Sequence, residues 1–465
     1  MKGADAVSRW SLSRVGPDDP SPAGTESSAG TGSPAGGDES ADLSSRLVQR
    51  TTELREARSD QVAAWLRLIR AEDRAAALDW QLESIQASRG YRLIRVLRQA
   101  RSARALLRVP LDGLRVLTTA APRPPRPADP GLRGRAEHTR DGWEAYDRRD
   151  YGTALAEASA VLAGHPKDYA ALDLKQSAHW QRGDIAATVS ALSQMRMVHD
   201  SPQVARRERM IIGSARELDP RWLPRVPGPP RPVEPREGAI MHLLKESIPY
   251  LDSGFTMRGR DTAACQRLGG LDPFVVTSLG FPRLIGVTGF PPVDVIDGTP
   301  YHRLDAGPDY PVDQANDVVL GDTAWLAGRI GREQRPSVIH AMTGPQGFGT
   351  ALVGLALREH LGRPLVCDVR SLDETTGADD ITLGRGGEHH EARRATETHC
   401  MRAADLVVTA TGGMRSEIVD RGIPEHKVFV IPDGVDAANG QRYQDIYGQL
   451  LDRWATGRPT AAGPS

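Results

Sequence analysis

Three features of this sequence have residue types suited to covalent or metal chemistry, and each falls short on spacing. Cys265, Cys367 and Cys400 are odd in number and far apart, with no CxxC pair. That argues against both a disulfide framework and a four-thiolate zinc site. His390-Glu391 begins like HExxH, but Arg394 stands where the second histidine is needed, so zinc-protease geometry is missing and no metal site is expected. His389 and His390 sit among acids and arginines, which reads as a solvated helix face. Gly344, Gly347 and Gly349 do not have GxGxxG spacing, and no Lys-Ser/Thr follows them. A Walker phosphate loop is thereby excluded.

The elements that must position any chemistry come next. A chain of 465 residues is too long for one ordinary core and predicts two or three domains. Its 59 Lys+Arg nearly cancel 60 Asp+Glu, and aromatics are 5%. Neither a general nucleic-acid coat nor a base-stacking platform fits, so no nucleic-acid partner is expected. No apolar run approaches the length of a membrane span, and the first twenty or so residues lack the apolar centre of a secretory signal. The expectation is a cytoplasmic protein.

Residues 1–42 are mostly Gly, Ser, Ala, Pro, Asp and Glu, which predicts disorder. From 43 to 88 a heptad appears. Leu47, Leu54, Leu68 and Leu82 share one position; Leu43, Ala57, Ala64, Ala71, Leu78 and Ile85 share another. The pattern predicts either a coiled coil with a partner or one long helix packed on its own protein. Residues 89–121 are a basic amphipathic segment, with eight arginines against the single acid Asp112 between 89 and 117. Such a helix lies on an anionic membrane or docks on an acidic protein face. The first alternative places the protein on the cytoplasmic side of a membrane.

A proline-rich linker spans 122–135. Over 136–218 a weak repeat follows: Tyr146 to Tyr151 aligns with Trp180 to Ile185 at an offset of 34. Each copy leads into a small, apolar helical stretch, as in tetratricopeptide-type hairpins. Two copies are fewer than a free-standing array needs, so a helical spacer and a peptide-binding module both fit. A second proline linker, 219–237, carries seven prolines between 219 and 235.

From 238 to 436 strands alternate with helices. Apolar runs at 239–244, 273–277, 336–341, 364–370, 405–409 and 427–431 read as strands, and 260–268, 350–361, 388–403 and 413–421 as helices. This predicts an α/β class, a Rossmann-like doubly wound lobe whose ligand crevice lies beyond the strand C-termini. The phrases HLLKESIPYLDSGFTMRGR, GLDPFVVTS, VIHAMTG, GRPLVCDVRSLDE, RAADLVVTATGGMRSEIVDRGIP and KVFVIPDGVD occur in that order. Together they resemble the N-terminal, acceptor-binding lobe of family-4 glycosyltransferases of the GT-B fold.

The resemblance implies sugar transfer from a nucleotide-sugar donor to a glycan or lipid-linked acceptor, with anomeric configuration usually retained. No bound cofactor is implied beyond that donor. It also implies site residues. Ser253, Gly254 and Thr256 with Arg258 correspond to an acceptor- or phosphate-binding loop; the alternative is an ordinary strand-to-helix turn. His340 stands at a strand end where the family commonly has His-x-His, and here the second position is Met342. It is either catalytic or a satisfied structural histidine. Asp368, Arg370 and Glu374 match an acidic-x-Arg strand end facing the cleft, or form a surface ion pair.

A GT-B enzyme has two Rossmann-like lobes, yet 29 residues follow Asp436. Tyr443, Ile446, Tyr447, Leu450, Leu451 and Trp454 form an apolar stripe at helical spacing. The segment 437–465 resembles the family's closing helix, which crosses back from the donor lobe to the acceptor lobe. The expectation is a glycosyltransferase-like chain whose donor lobe is excised and whose autonomous activity is doubtful. The alternative is a non-catalytic glycan-binding scaffold.

Overall fold

The computed structural model describes residues 36–87, 134–307, 310, 314–344, 347–372 and 387–457. The basic segment 89–121, nearly all of the first linker, most of the N-terminal segment and Glu374 lie outside the described residues. The chain divides into two compact units near residue 178.

The first unit begins with helix α1 (Gly36–Ala87), 52 residues long. It starts ahead of Leu43, inside the stretch expected to lack structure. Helices α2 (Arg135–Asp147) and α3 (Tyr151–Gly164) follow, then the start of α4 (Tyr169–Arg182). Asp150 caps α3 by accepting from the Thr153 amide at 3.1 Å, which satisfies one of the amides a helix start leaves open. Trp143, Tyr146, Ala154, Ala158 and Leu174 make the core of this unit, with Val62 and Trp65 of α1 packed against it. A side chain at Gly142 would lie 2.5 Å from Leu174 Cδ2, so any larger residue there displaces the Leu174 side chain.

The second unit holds helices α5 (Ile185–Val198) and α6 (Pro202–Glu217) as well as the α/β sheet. This corrects the expected boundary at 218. Ile185 and Leu218 belong to the sheet's own core cluster, and Arg216 pairs with Asp317 at 2.8 Å. The repeat's two turns do recur where the offset puts them, before α3 and before α5. The second proline segment is likewise docked rather than a free spacer. Arg231 and Val233 donate backbone amides to the carbonyls of His360 and Leu361 at 2.7 and 3.0 Å, because the end of a helix leaves carbonyls open.

The sheet has eight strands in the order β3-β4-β2-β1-β5-β6-β7-β8. They are β1 (Ala239–Leu244), β2 (Asp272–Thr277), β3 (Val293–Ile296), β4 (Thr299–His302), β5 (Val338–Thr343), β6 (Leu365–Val369), β7 (Leu406–Thr409) and β8 (Val428–Val430). All pairs are parallel except β3 with β4. That edge hairpin was not expected, since its alternating, half-exposed residues carry little apolar signal. The helices are α7 (Gly254–Leu268), α8 (Asn316–Gln334), α9 (Gly349–Leu361), α10 (Glu388–Ala403), α11 (Gly412–Asp420) and α12 (Ala437–Gly457). Side chains alternate across a strand, so each strand feeds two cores. Met241, Ile339, Leu365, Cys367 and Val407 face one core, shared with α8, α9 and α10. Ile240, Val338, Val366, Leu406 and Val408 face the other, shared with α12. No described helix is long and apolar enough to cross a membrane.

Candidate acceptor-lobe site

The segment 253–258 is the first turn of a helix, not the loop expected. Ser253 and Thr256 form a capping box: the Ser253 hydroxyl accepts from the Thr256 amide at 3.2 Å, and Thr256 Oγ1 accepts from the Ser253 amide at 2.9 Å. Both side chains are engaged in starting α7. At Gly254 an added Cβ would meet nothing within 4 Å, so the position is open and its amide is approachable. The α7 N-terminus sits over the end of β5. A Cβ at Gly344 would lie 2.6 Å from Phe255 Cε2.

Behind this rim lies a buried polar relay. His242 of β1 stands opposite His340 of β5 in register, their rings 4.6 Å apart. His242 Nε2 meets Gln266 Oε1 at 2.7 Å, and Gln266 Nε2 donates to the Tyr447 oxygen at 2.9 Å. The Tyr447 hydroxyl proton is then left to donate to His340 Nδ1, 2.6 Å away. His340 Nε2 therefore donates to Asp368 Oδ2 at 3.0 Å. Arg370 donates to the same oxygen at 2.6 Å and reaches Asp433 Oδ1 at 2.8 Å. The other oxygen of Asp433 pairs with Arg258 Nε at 3.2 Å. Only this last pair is open, each side chain being 45% exposed. His242, His340 and Asp368 are fully buried.

Burial, reinforced by the neighbouring His340, drives the His242 pKa down to about 3. Burial opposes ionisation of Asp368 too, but the adjoining Arg370 charge and the His340 hydrogen bond outweigh it and hold the carboxyl below its ordinary value. Burial likewise works against the Arg370 charge, and Asp368 overcomes it, so the guanidinium is held charged more firmly than usual. The Tyr443 and Tyr447 phenols are pushed up by burial and stay protonated. Donation therefore runs one way from His242 to Asp368, and Arg370 donates in both directions to join Asp368 to Asp433 at the rim.

The predicted residues therefore fall into three places. Arg258 is at the rim; Ser253 and Thr256 cap a helix; Arg370 and His340 are inside. His340 has both ring nitrogens engaged, by Tyr447 and Asp368, and is buried beneath α12. The surface ion pair considered for Asp368 and Arg370 is a buried one. Asp433, His242, Gln266 and the tyrosine hydroxyls escaped the sequence reading. A signal existed for His242: it and His340 are the polar interruptions of two apolar strands.

The predicted stripe on α12 is buried at Tyr443, Ile446, Tyr447 and Leu450. Arg358 stacks over Trp454 at 4.9 Å. Helices α7 and α12 cross at two glycines: a Cβ at Gly269 would lie 2.3 Å from the Gly440 oxygen. Residues 253–434 match the family model described as a glycosyl transferase 4-like domain. Among solved structures, this chain is similar to a sucrose-phosphate synthase from Thermosynechococcus elongatus, at 16% identity over 46% of this chain and 99% of that one, TM-score 0.33. It is also similar to an O-GlcNAc transferase mutant from Thermobaculum terrenum, at 9% identity over 81% and 76%, TM-score 0.21. A search of curated proteins finds no match. The matched residues of the glycosyl transferase 4-like domain exclude β1 and α12. Yet β1 is a central strand and α12 closes one face of the sheet.

Proposed function

We propose that residues 238–457 act as the acceptor-side lobe for sugar transfer from a nucleotide-sugar, and that they do not turn over a donor alone. The observation that carries this is the short path from β8 to α12. Asp433 to Asp436 turn the chain directly into the closing helix, with Asp436 Oδ1 accepting from the Asn439 amide at 2.7 Å. The helix then seats Tyr443 and Tyr447 on the sheet that β8 has just completed. A lobe closed in this way is structurally whole without a second sheet between β8 and α12. The rim supplies acceptor chemistry. The α7 amides favour an anionic oxygen, Arg258 offers a planar cation, and Asp433 accepts from sugar hydroxyls. The buried relay keeps Asp433 in place through Arg370. The nucleoside diphosphate of the donor is proposed to be held outside these residues. The acceptor is proposed to be a glycan or a lipid-linked saccharide.

Calorimetric titration of the full chain tests this. Nucleoside diphosphates are expected to bind at millimolar strength or weaker. A saccharide panel is expected to contain a ligand whose affinity falls about tenfold in Arg258→Ala, roughly the loss of one charged hydrogen bond. Robust nucleotide-sugar turnover by the chain alone would overturn the split arrangement. Saccharide binding with no turnover in any mixture would instead leave a glycan-binding scaffold.

A further inference from the structure

Helix α1 carries two apolar stripes, and the first unit uses one of them. Arg58, Val62, Trp65 and Ile69 recur at alternating spacings of four and three, and they face α2 and α3. Trp65 lies 5.8 Å from Trp143, Arg58 sits 4.8 Å over the Tyr146 ring, and Ile69 is buried. One residue back, about 100° around the helix, runs the second stripe: Ala64, Leu68, Ala71, Ala75, Leu78 and Leu82. It keeps strict alternation of four and three and lies in water, with Leu68 56%, Leu78 64% and Leu82 53% exposed. From Arg70 to Asp79 every described residue is exposed.

Charges beside the stripe specify what covers it. With Leu68, Ala75 and Leu82 at heptad position a and Ala64, Ala71 and Leu78 at d, position g holds Arg67 and Arg74. Position e holds Glu72 and Asp79. In a parallel, in-register pair, each g residue lies beside the e residue of the next heptad on the other helix. Arg67 then meets Glu72 and Arg74 meets Asp79, twice over by symmetry. Reversing one helix sets arginine against arginine and acid against acid. Glu72 already holds Arg135 at 2.6 Å but its side chain is still 51% exposed.

We propose that residues 64–82 of α1 pair with the same segment of a second copy of this chain, as a parallel, in-register two-stranded coiled coil. The small residues Ala71 and Ala75 bring the two backbones close, and the first unit's docking stripe falls at positions b (Val62, Ile69) and e (Arg58, Trp65), beside the seam rather than in it. The paired stretch is about 28 Å long at the helical rise. The association is therefore concentration-dependent rather than permanent. It is independent of the glycosyl-transfer reading, because it uses no residue of that domain.

The test uses the full chain. The chain's own cysteines are all buried, so Leu78→Cys adds one accessible thiol. Parallel, in-register pairing puts this thiol beside its copy, within disulfide reach. Mild oxidation is expected to give a covalent dimer on a non-reducing gel, and Ala77→Cys, one position off the stripe, is expected to stay monomeric. In sedimentation equilibrium Leu78→Glu with Leu82→Glu should abolish the dimer without changing helical content. Arg74→Glu should weaken it several-fold, and Arg74→Glu combined with Asp79→Arg should restore it. A wild-type chain that sediments as a monomer or trimer at about 100 μM would overturn the proposal, as would equal cross-linking at positions 77 and 78.

Discussion

The two faces of one sheet are built on different rules. The face under α8 and α9 is apolar throughout, with Met241, Ile339, Leu365 and Val407 packed against Leu352, Leu357 and Ala324. The face under α7 and α12 begins the same way with Ile240, Val338 and Val366. It then carries His242, His340 and Asp368 in the middle of the strands. An apolar face tolerates many arrangements of similar volume. A buried polar chain tolerates few, because every group must meet its own partner. The first face supplies adhesion, and the second decides where α12 sits.

The contrast can be broken from either side. Asp368→Ala removes the buried carboxylate partner of Arg370, leaving it Asp433 at the rim, and is expected to cost about 3–5 kcal/mol. Leu357→Ala on the apolar face should cost about 2–5 kcal/mol; both are read by urea denaturation. The signature that separates them is α12: only Asp368→Ala should raise amide exchange along 437–457 beyond the global change.

Acid should act on the polar face through His242 and Asp368. His242 has a folded pKa of about 3 against an ordinary value near 6.5, so the unfolded chain binds the extra proton between those limits. Its stability contribution is complete above pH 6.5 and is lost as pH falls toward 3, by on the order of 4 kcal/mol. Asp368, also held below its ordinary value, adds a loss in the same direction at the acid end of that window. In chemical unfolding measured from pH 7 to 4, His242→Gln should flatten the decline.

Tyr447→Phe keeps the ring and removes one hydroxyl, leaving Gln266 Nε2 and His340 Nδ1 without that partner. A loss of about 1–3 kcal/mol in thermal unfolding is expected. Ser253→Ala removes one cap oxygen from α7 and should cost about 1 kcal/mol. It should leave the acid limb unchanged, because the cap lies outside the relay.

The strands were legible because each buried one is a short apolar run, and six of the eight lie within two residues of their expected limits. The apolar stripe of α12 was legible for the same reason: burial imposes helical spacing. The start of α7 was misplaced from Arg260 to Gly254 because its signal is a Ser-x-x-Thr box, weaker to the eye than Ser-x-x-Glu. Asp433 was visible only as part of a turn phrase. Its partners, Arg258 and Arg370, are 175 and 63 residues away along the chain.

By itself the sequence determined the alternation of elements, the family resemblance and the heptad stripe of α1, because periodicity and local turn chemistry are written in neighbouring residues. Tertiary structure alone decided that the proline segment is docked, that α5 and α6 join the sheet's unit, and that His340 faces a tyrosine instead of a cleft. Those outcomes depend on which distant groups satisfy one another's hydrogen bonds once water is excluded, and no local spacing encodes that.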